Sequence, residues 1–373
     1  MDIINFAIHA VFWMLGFLFL FRIPRCQTGN PHSGSYPSFS IIIPACNEAK
    51  RLPILLASLQ GQSLTPGEII VVVNQSQDNT LDIAKNAGVV AIQSEPLHEG
   101  WMGKPWACYQ GAKAAHGELL IFLDADTFLE KDGLEKILGE YLENGGAVSI
   151  QPYHRMKRPY EQFSAFFNLI EMAAMGAFTI TGKHAKPIGL FGPCIAVSRE
   201  IYFEIGGHQR VKNEIVEDIG LGEGLKSRSI PINCYGGKST ISFRMYPNGI
   251  RELISGWSKN LATGASKTHL AILLAIIAWI GGGIGCLVYL VEAIMNMNAV
   301  LVVSWIALYA LYAIQINWML NRIGAFRPYT TVFYFVFLLF FLGIFMYSLF
   351  VIYFKKSVVW RGNKISLKNR RSS

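Results

Sequence analysis

Between residues 269 and 354 the chain carries three runs, 269–291, 299–320 and 329–354, that contain no Asp, Glu, Lys or Arg. Each exceeds the ~20 residues an α-helix needs to cross a bilayer. A fourth uncharged run, 3–21, lies at the other end and is followed by Arg22 and Arg25. A secretory signal peptide carries its positive charge before the apolar run and a small-residue cleavage site after it. Neither is present, so residues 1–25 are expected to form an anchor helix whose C-terminal end is cytosolic. Composition agrees: 16% of residues are charged, against ~25% in an average soluble domain. With 24 Phe and 8 Trp, a disordered chain is excluded.

Charge bias orients the runs. Segment 292–298 has no Lys or Arg, whereas 321–328 has Arg322 and Arg327, which places the first loop outside and the second inside. The tail 355–373 holds Lys355, Lys356, Arg361, Lys364, Lys368, Arg370 and Arg371 and should be cytosolic. Three complete spans starting from a cytosolic domain would leave it outside. Two resolutions stay open: 329–354 is a re-entrant hairpin, or 269–291 breaks at 281–285. The expected layout is an anchor at 1–25, a globular domain at 37–267, a membrane region at 268–354 and a basic cytosolic tail at 355–373. This describes a multi-pass membrane protein with its globular domain in the cytosol.

The globular stretch alternates β-rich and helical segments. Strands are expected at 39–43, 68–73, 89–92, 119–123 and 147–150, with helices at 48–60, 78–87, 105–116 and 131–143 between them. That alternation predicts an α/β domain with a mainly parallel sheet. In such sheets ligands sit beyond the carboxyl ends of the strands. The six cysteines, Cys26, Cys46, Cys108, Cys194, Cys234 and Cys286, include no CxxC pair, so buried reduced thiols are expected rather than a disulfide framework or a zinc site.

Polar residues gather at the expected strand ends. The first strand runs into Pro44-Ala45-Cys46-Asn47-Glu48, the second into Asn74-Gln75-Ser76-Gln77-Asp78, and the fourth into Asp124-Ala125-Asp126. Asn47, Ser76 and Asp78 are equally good helix caps. Two carboxylates separated by one Ala at the end of a buried strand repel each other, and a hard divalent cation sharing substrate phosphate oxygens would relieve them. Glu217-Asp218 reads, on its own, as a solvated helix start. His154, His184 and His208 lack HxxxH spacing and read as structural or acceptor-side residues. Phe163, Phe166, Phe167 and Ile170 have helical spacing, for a packed or membrane-lying face.

The ordered set Ile42-Ile43-Pro44-Ala45-x-Asn47-Glu48, Ser76-x-Asp78-x-Thr80, Gly103-Lys104, Asp124-Ala125-Asp126 and Glu217-Asp218 resembles the family-2 glycosyltransferases of GT-A fold, over residues 38–260. Further stretches are similar to the branch of that family found in staphyloxanthin-type carotenoid biosynthesis. They are Gly103-Lys104-Pro105-Trp106-Ala107-Cys108, Ser149-Ile150-Gln151-Pro152-Tyr153-His154, Phe243-Arg244-Met245-Tyr246 and Trp360-Arg361-Gly362.

The resemblance implies a GT-A catalytic domain with an N-terminal anchor helix and C-terminal transmembrane helices. By the same resemblance Pro44, Ala45 and Glu48 line a uridine pocket with Asn74 and Asp78 nearby, and Lys104 faces the diphosphate. Asp124 and Asp126 hold ribose and a Mn²⁺ or Mg²⁺ ion. Asp218 is the general base, with Glu217 beside it. His154, His208, Trp257 and Trp360 are acceptor-side candidates. Two departures matter: Val73-Asn74-Gln75-Ser76 replaces the family's Asp-Asp-Gly-Ser, and the segment ending in Trp257 lacks the Gln and Arg of processive members, which argues for a single transfer.

The implied reaction is inverting transfer of glucose from UDP-glucose to a C30 carotenoid acid. Ceramide, diacylglycerol or polyprenyl phosphate is the alternative acceptor. The implied partners are a UDP-sugar, a lipid-soluble acceptor, membrane lipids and other carotenoid-pathway enzymes. Transport fits poorly, because only Gln315 and Asn317 are strongly polar within the C-terminal runs. The net charge of +8 gathers after and beside the runs, which suits anionic headgroups rather than nucleic acid.

Overall fold

A computed structural model describes residues 2–27, 36–182, 185–214, 216–351, 357–360 and 363–366. The chain forms two compact units, one from 23–155 and 187–245, the other from 1–22, 156–186 and 246–373.

The first unit is built on strands β1 (Phe39–Ala45), β2 (Glu68–Val73), β3 (Val90–Gln93), β4 (Leu119–Leu123), β5 (Thr127–Leu129), β6 (Ala147–Gln151), β7 (Tyr153–His154), β8 (Cys194–Ser198), β9 (Ile232–Gly236) and β10 (Ile241–Phe243). Seven of them form one sheet in the order β3-β2-β1-β4-β8-β6-β9. The runs Ile-Ile-Ile, Ile-Ile-Val-Val-Val and Leu-Leu-Ile-Phe-Leu are apolar at successive positions because both faces are covered by packed elements. Ile41, Ile43, Val71, Val73, Ile121 and Leu123 enter one core. Ile42, Ile70, Val72, Leu120 and Phe122 enter the other, as the period of two requires.

The sheet is mainly parallel, as expected, with one reversed member. β1 through β4 pair in parallel, but β8 runs antiparallel to both β4 and β6. The expected alternation contains no strand at β8, because that strand does not follow a crossover helix of the regular βαβ kind. The remaining expected strands and helices appear, including helices Leu52–Gln60, Thr80–Asn86, Gly103–Ala114 and Gly133–Asn144. The strand order reverses between β1 and β4, and this opens a crevice at their carboxyl ends.

The second unit is helical. Leu270–Met295 and Ala299–Ile323 are long and apolar enough to cross a membrane. At 1.5 Å per residue they reach about 39 and 38 Å. Leu270–Met295 is one continuous helix, so the break at 281–285 does not occur. The glycines there are a packing surface instead. Gly282 lies against the Tyr312 hydroxyl and Gly285 against the His9 ring, the close approach that small residues permit between membrane helices. Gln315 Oε1 accepts from Trp279 Nε1 at 2.8 Å, and its Nε2 donates to the Trp13 carbonyl at 3.0 Å, which accounts for one polar residue in an apolar run.

The outer runs are shorter than expected. Asp2–Leu15 covers 14 residues, and run 329–354 divides at Phe333 into Pro328–Val332 and the 17-residue Tyr334–Phe350. About 26 Å for the latter falls short of a ~30 Å hydrocarbon core. Residues 334–350 form one helix and not a hairpin. The phenylalanine stripe is packed: Phe163 meets Phe337 at 4.9 Å and Phe340 at 4.6 Å, and Phe167 stacks on Trp257 at 4.9 Å. In the tail, Ser357–Trp360 and Asn363–Ser366 pair antiparallel. Arg361, Gly362 and residues 367–373 lie outside the described residues.

Candidate active site

Three chain segments meet where the sheet order reverses. β1 ends in Pro44 and Ala45, and β4 ends just before Asp124. Helix Glu217–Ser227 begins with the two carboxylates Glu217 and Asp218. Lys104, the second residue of helix Gly103–Ala114, reaches into the same pocket, which is also lined by Cys108, Gly192 and His208.

Lys104 Nζ lies 2.8 Å from Asp124 Oδ1 and 3.0 Å from Glu217 Oε1. Burial disfavours its charge, but the two carboxylates more than compensate and hold the ammonium well above its ordinary pKa. The same contact pulls Glu217 down against its own burial. Glu217 is 8% exposed, so the solvated helix start is not what is found. Asp218 differs from its neighbour. It accepts backbone N–H bonds from Gly192 (3.1 Å) and Ile219 (3.0 Å), yet burial first, and the Glu217 charge next, push its carboxyl up to about 7. One carboxylate is thus kept ionised and the adjacent one is poised near neutrality, the separation that divides charge-holding from proton-handling roles.

The Asp124-Ala125-Asp126 segment is a turn. Thr127 donates through its N–H (3.1 Å) and its hydroxyl (2.7 Å) to the Asp124 carbonyl, and the Arg244 N–H reaches the Asp126 carbonyl at 3.4 Å. Lys104 supplies the positive charge beside Asp124, where the sequence alone suggested only a cation. No group of three or more His, Cys, Asp and Glu side chains among the described residues could hold a metal. Two hard carboxylates still suit Mg²⁺ or Mn²⁺, since Mg²⁺ is commonly held by one or two carboxylates together with substrate phosphates and water.

The loops after β1 and β2 are tied together by the residues that sequence reading also offered as caps. The Asn47 N–H donates to Ser76 Oγ (2.9 Å), Gln77 N–H to Asn47 Oδ1 (2.8 Å), Glu48 N–H to Thr80 Oγ1 (2.9 Å) and Ala49 N–H to Asp78 Oδ2 (3.1 Å). Asn47 sits at φ 55°, a left-handed conformation that Asn tolerates. Asp78 Oδ1 accepts from the Thr80 N–H and hydroxyl. These donors outweigh the penalty of burial and lower its pKa. Both oxygens of Asp78 therefore hold the loops. Glu48 is buried and paired with Arg51 at 3.0 Å. Asn74 is 6% exposed, and its Oδ1 has no hydrogen-bond partner among the described residues. A buried acceptor left so costs roughly 1–3 kcal/mol.

The acceptor-side candidates fall in different elements. His154 lies buried on β7 with its ring 4.8 Å from Phe243. His208 lines the pocket with Lys104 and Glu217. Trp257 belongs to the helical unit, where its Nε1 donates to Ser164 Oγ at 3.1 Å. Trp360 ends the strand Ser357–Trp360, and its side chain lies outside what the structure describes. Sequence reading missed Gly192, whose N–H holds Asp218, and Tyr202, which holds His208. Gly192-Pro193 is a turn signal, but one with no expected strand beside it.

The comparisons give the class: the chain belongs to the family-2 glycosyltransferases. The Glycosyl transferase family 2 profile matches residues 40–204. The 4,4'-diaponeurosporenoate glycosyltransferase of Staphylococcus aureus (strain USA300) is 35% identical over 346 residues, covering 90% of both chains. Its counterpart in strain MRSA252 is 34% identical over the same length. Among solved structures, the mannosyltransferase PcManGT from Pyrobaculum calidifontis, in complex with GDP-Man and Mn²⁺, is similar with a TM-score of 0.55. It is 16% identical, and the match covers 93% of this chain and 98% of that one.

Proposed function

We propose that this glycosyltransferase moves glucose from UDP-glucose, with inversion, onto the carboxyl group of a C30 carotenoid acid, 4,4'-diaponeurosporenoate, at the cytosolic face of a bacterial membrane. The observation that carries the reading is the pocket at the end of β4, where Lys104 lies 2.8 Å from Asp124 and 3.0 Å from Glu217 beside Asp218, a place for a departing diphosphate. Similarity to a relative whose name specifies that acceptor supports the substrate, and two helices able to cross a bilayer suit an acceptor dissolved in lipid.

On the donor side, Pro44 and Ala45 line the base, and Asn74 Oδ1 gains the partner it lacks from a base N–H. Glu48 and Asp78 hold the surrounding loops. Lys104 faces the diphosphate. Asp124 and Asp126 would hold Mn²⁺ or Mg²⁺, which when bound neutralises charge developing on the departing diphosphate. An acceptor oxygen attacks the anomeric carbon as the carbon–oxygen bond to the diphosphate breaks, and the electron pair leaves with UDP. A hydroxyl acceptor must lose its proton, which Asp218 takes. A carboxylic acid is already ionised at pH 7, so there Asp218 retains its proton and donates a hydrogen bond to the acceptor. Lipid hydroxyls are therefore the second reading, favoured by the ability of Asp218 to act as a base near neutrality.

The test is the full-length protein in lipid nanodiscs with UDP-glucose, offered the carotenoid acid beside ceramide, diacylglycerol and polyprenyl phosphate. A glucosyl ester of the carotenoid acid is expected. Transfer to a hydroxyl lipid alone would select the second reading, and no transfer from any UDP-sugar would reject both.

A further inference from the structure

His208 is 2% exposed and lines the pocket that holds Lys104, Asp124, Glu217 and Asp218, yet no step above uses it. Its surroundings are built with care. Gly206 and Gly207 precede it at φ 85° and 48°, conformations that favour glycine. A Cβ on Gly207 would lie 2.5 Å from Tyr202 Cζ, so only glycine lets the tyrosine ring approach. The Tyr202 hydroxyl then accepts the His208 backbone N–H at 3.1 Å and lies 3.0 Å from His208 Nδ1. Phe122 closes the other side, with its ring 5.1 Å from His208.

This arrangement selects a tautomer. The Tyr202 hydroxyl is buried, and among the described residues His208 Nδ1 is the acceptor available to its proton. Nδ1 must then be unprotonated, and a neutral ring carries its proton on Nε2. Burial, opposed by the Glu217 charge and reinforced by that of Lys104, pushes the imidazolium pKa down to about 3. The ring is therefore neutral throughout the working pH range. Among the described residues the hydrogen bonds of His208 engage its backbone N–H and Nδ1, which leaves Nε2 open to the pocket's contents. The pocket encloses ≈ 10 Å³, about what one bridging water needs.

We propose that His208, locked by Tyr202 as the Nε2–H tautomer, is a positioning residue that presents a neutral donor to the Glu217 carboxylate through one water, and so sets the charge felt by Asp218. A cationic imidazole there would compete with Lys104 for Glu217, and the wrong tautomer would turn a lone pair toward it. The titratable groups facing His208 are Lys104 and Cys108 from one helix, Glu217 and Asp218 from another, Asp124 after β4, and Tyr202. The inference deepens the glycosyl-transfer reading and rests on it for the kinetic arm only.

Two measurements on the full-length protein test it. ¹⁵N spectra of histidine-labelled protein, taken without substrates, should show His208 neutral with Nε2 protonated down to pH 5 in the wild type, and in mixed tautomers in Tyr202→Phe. A His208 already protonated at pH 6, or an unchanged tautomer in Tyr202→Phe, would overturn the lock whatever the enzyme's substrate. In kinetics, Tyr202→Phe and His208→Phe should keep UDP affinity, lower kcat roughly 10-fold or more and shift the pH-profile limb near 7. His208→Gln, which keeps a side-chain N–H donor, should recover part of both. A loss of kcat with an unmoved limb, or wild-type kcat in His208→Phe, would overturn the positioning role.

Discussion

The Lys104 ammonium sits 2.8 Å from Asp124 Oδ1, on one of the two carboxylates proposed to hold a divalent cation. Lys104 also spans to Glu217, so a single positive charge joins the end of a β-strand to the first turn of a helix that follows it by more than ninety residues. Lys104→Met would leave two carboxylates without their partner. It is expected to lower kcat/KM by about 10²-fold, the scale of losing one preorganised charge at a developing anion, while the metal concentration needed for half-maximal rate falls, because the ammonium no longer competes for Asp124. Steady-state kinetics across a Mn²⁺ series would show this, and unchanged kcat/KM would remove Lys104 from the site.

Chelation addresses the cation itself. Excess EDTA should abolish transfer, with Mn²⁺ or Mg²⁺ restoring it, and Asp126→Ala should lose at least ~10²-fold in kcat. Full turnover in EDTA would show that Lys104 alone neutralises the leaving diphosphate.

Asp218→Asn separates the two acceptor classes. With a hydroxyl acceptor the base must be ionised, so the wild-type rate should rise with pH through about 7, and Asp218→Asn should collapse kcat while UDP binding survives. With a carboxylic acid the neutral form is the useful one. The rate should then fall as pH rises through the same value, and Asn, which keeps a donor, should retain most of it. Equal losses with both acceptors would place the proton chemistry elsewhere.

Gly111 tests packing beneath the pocket. A Cβ there would lie 2.5 Å from Ile42 Cγ2 and 3.1 Å from Val72 Cγ2. Ala ordinarily gains up to ~1 kcal/mol over Gly in a helix, but overpacking of about 1–3 kcal/mol should win. Gly111→Ala is expected to lower the thermal midpoint of the purified protein, and a raised midpoint would show that the strands yield.

Topology is open to a labelling experiment. A cysteine at Ser372 should resist an impermeant thiol reagent in intact cells if the basic tail is cytosolic, since each of its charges near an anionic leaflet is worth about 1 kcal/mol. Labelling from outside would reverse the placement.

Much of the molecule was legible in one dimension. β1, β2 and β4 could be read because both of their faces are buried, which forces continuous apolar runs, and because each ends abruptly in polar residues. Leu270–Met295 and Ala299–Ile323 could be read because a bilayer tolerates no charge along about 30 Å of helix. Lys104, Asp124, Glu217 and Asp218 were singled out by motif order. What tertiary structure alone decided is how those groups affect one another. β8 enters the sheet antiparallel, because that pairing depends on a partner far along the chain. Asp78 became a loop tie because Ala49 and Thr80 meet its two oxygens across two turns. Glu217 and Asp218 are adjacent acids with the same local signal, yet one is held ionised by Lys104 and the other is raised toward neutrality. Their difference arises from burial and from a lysine more than a hundred residues away, and electrostatic energy depends on distance in space, which sequence separation does not encode.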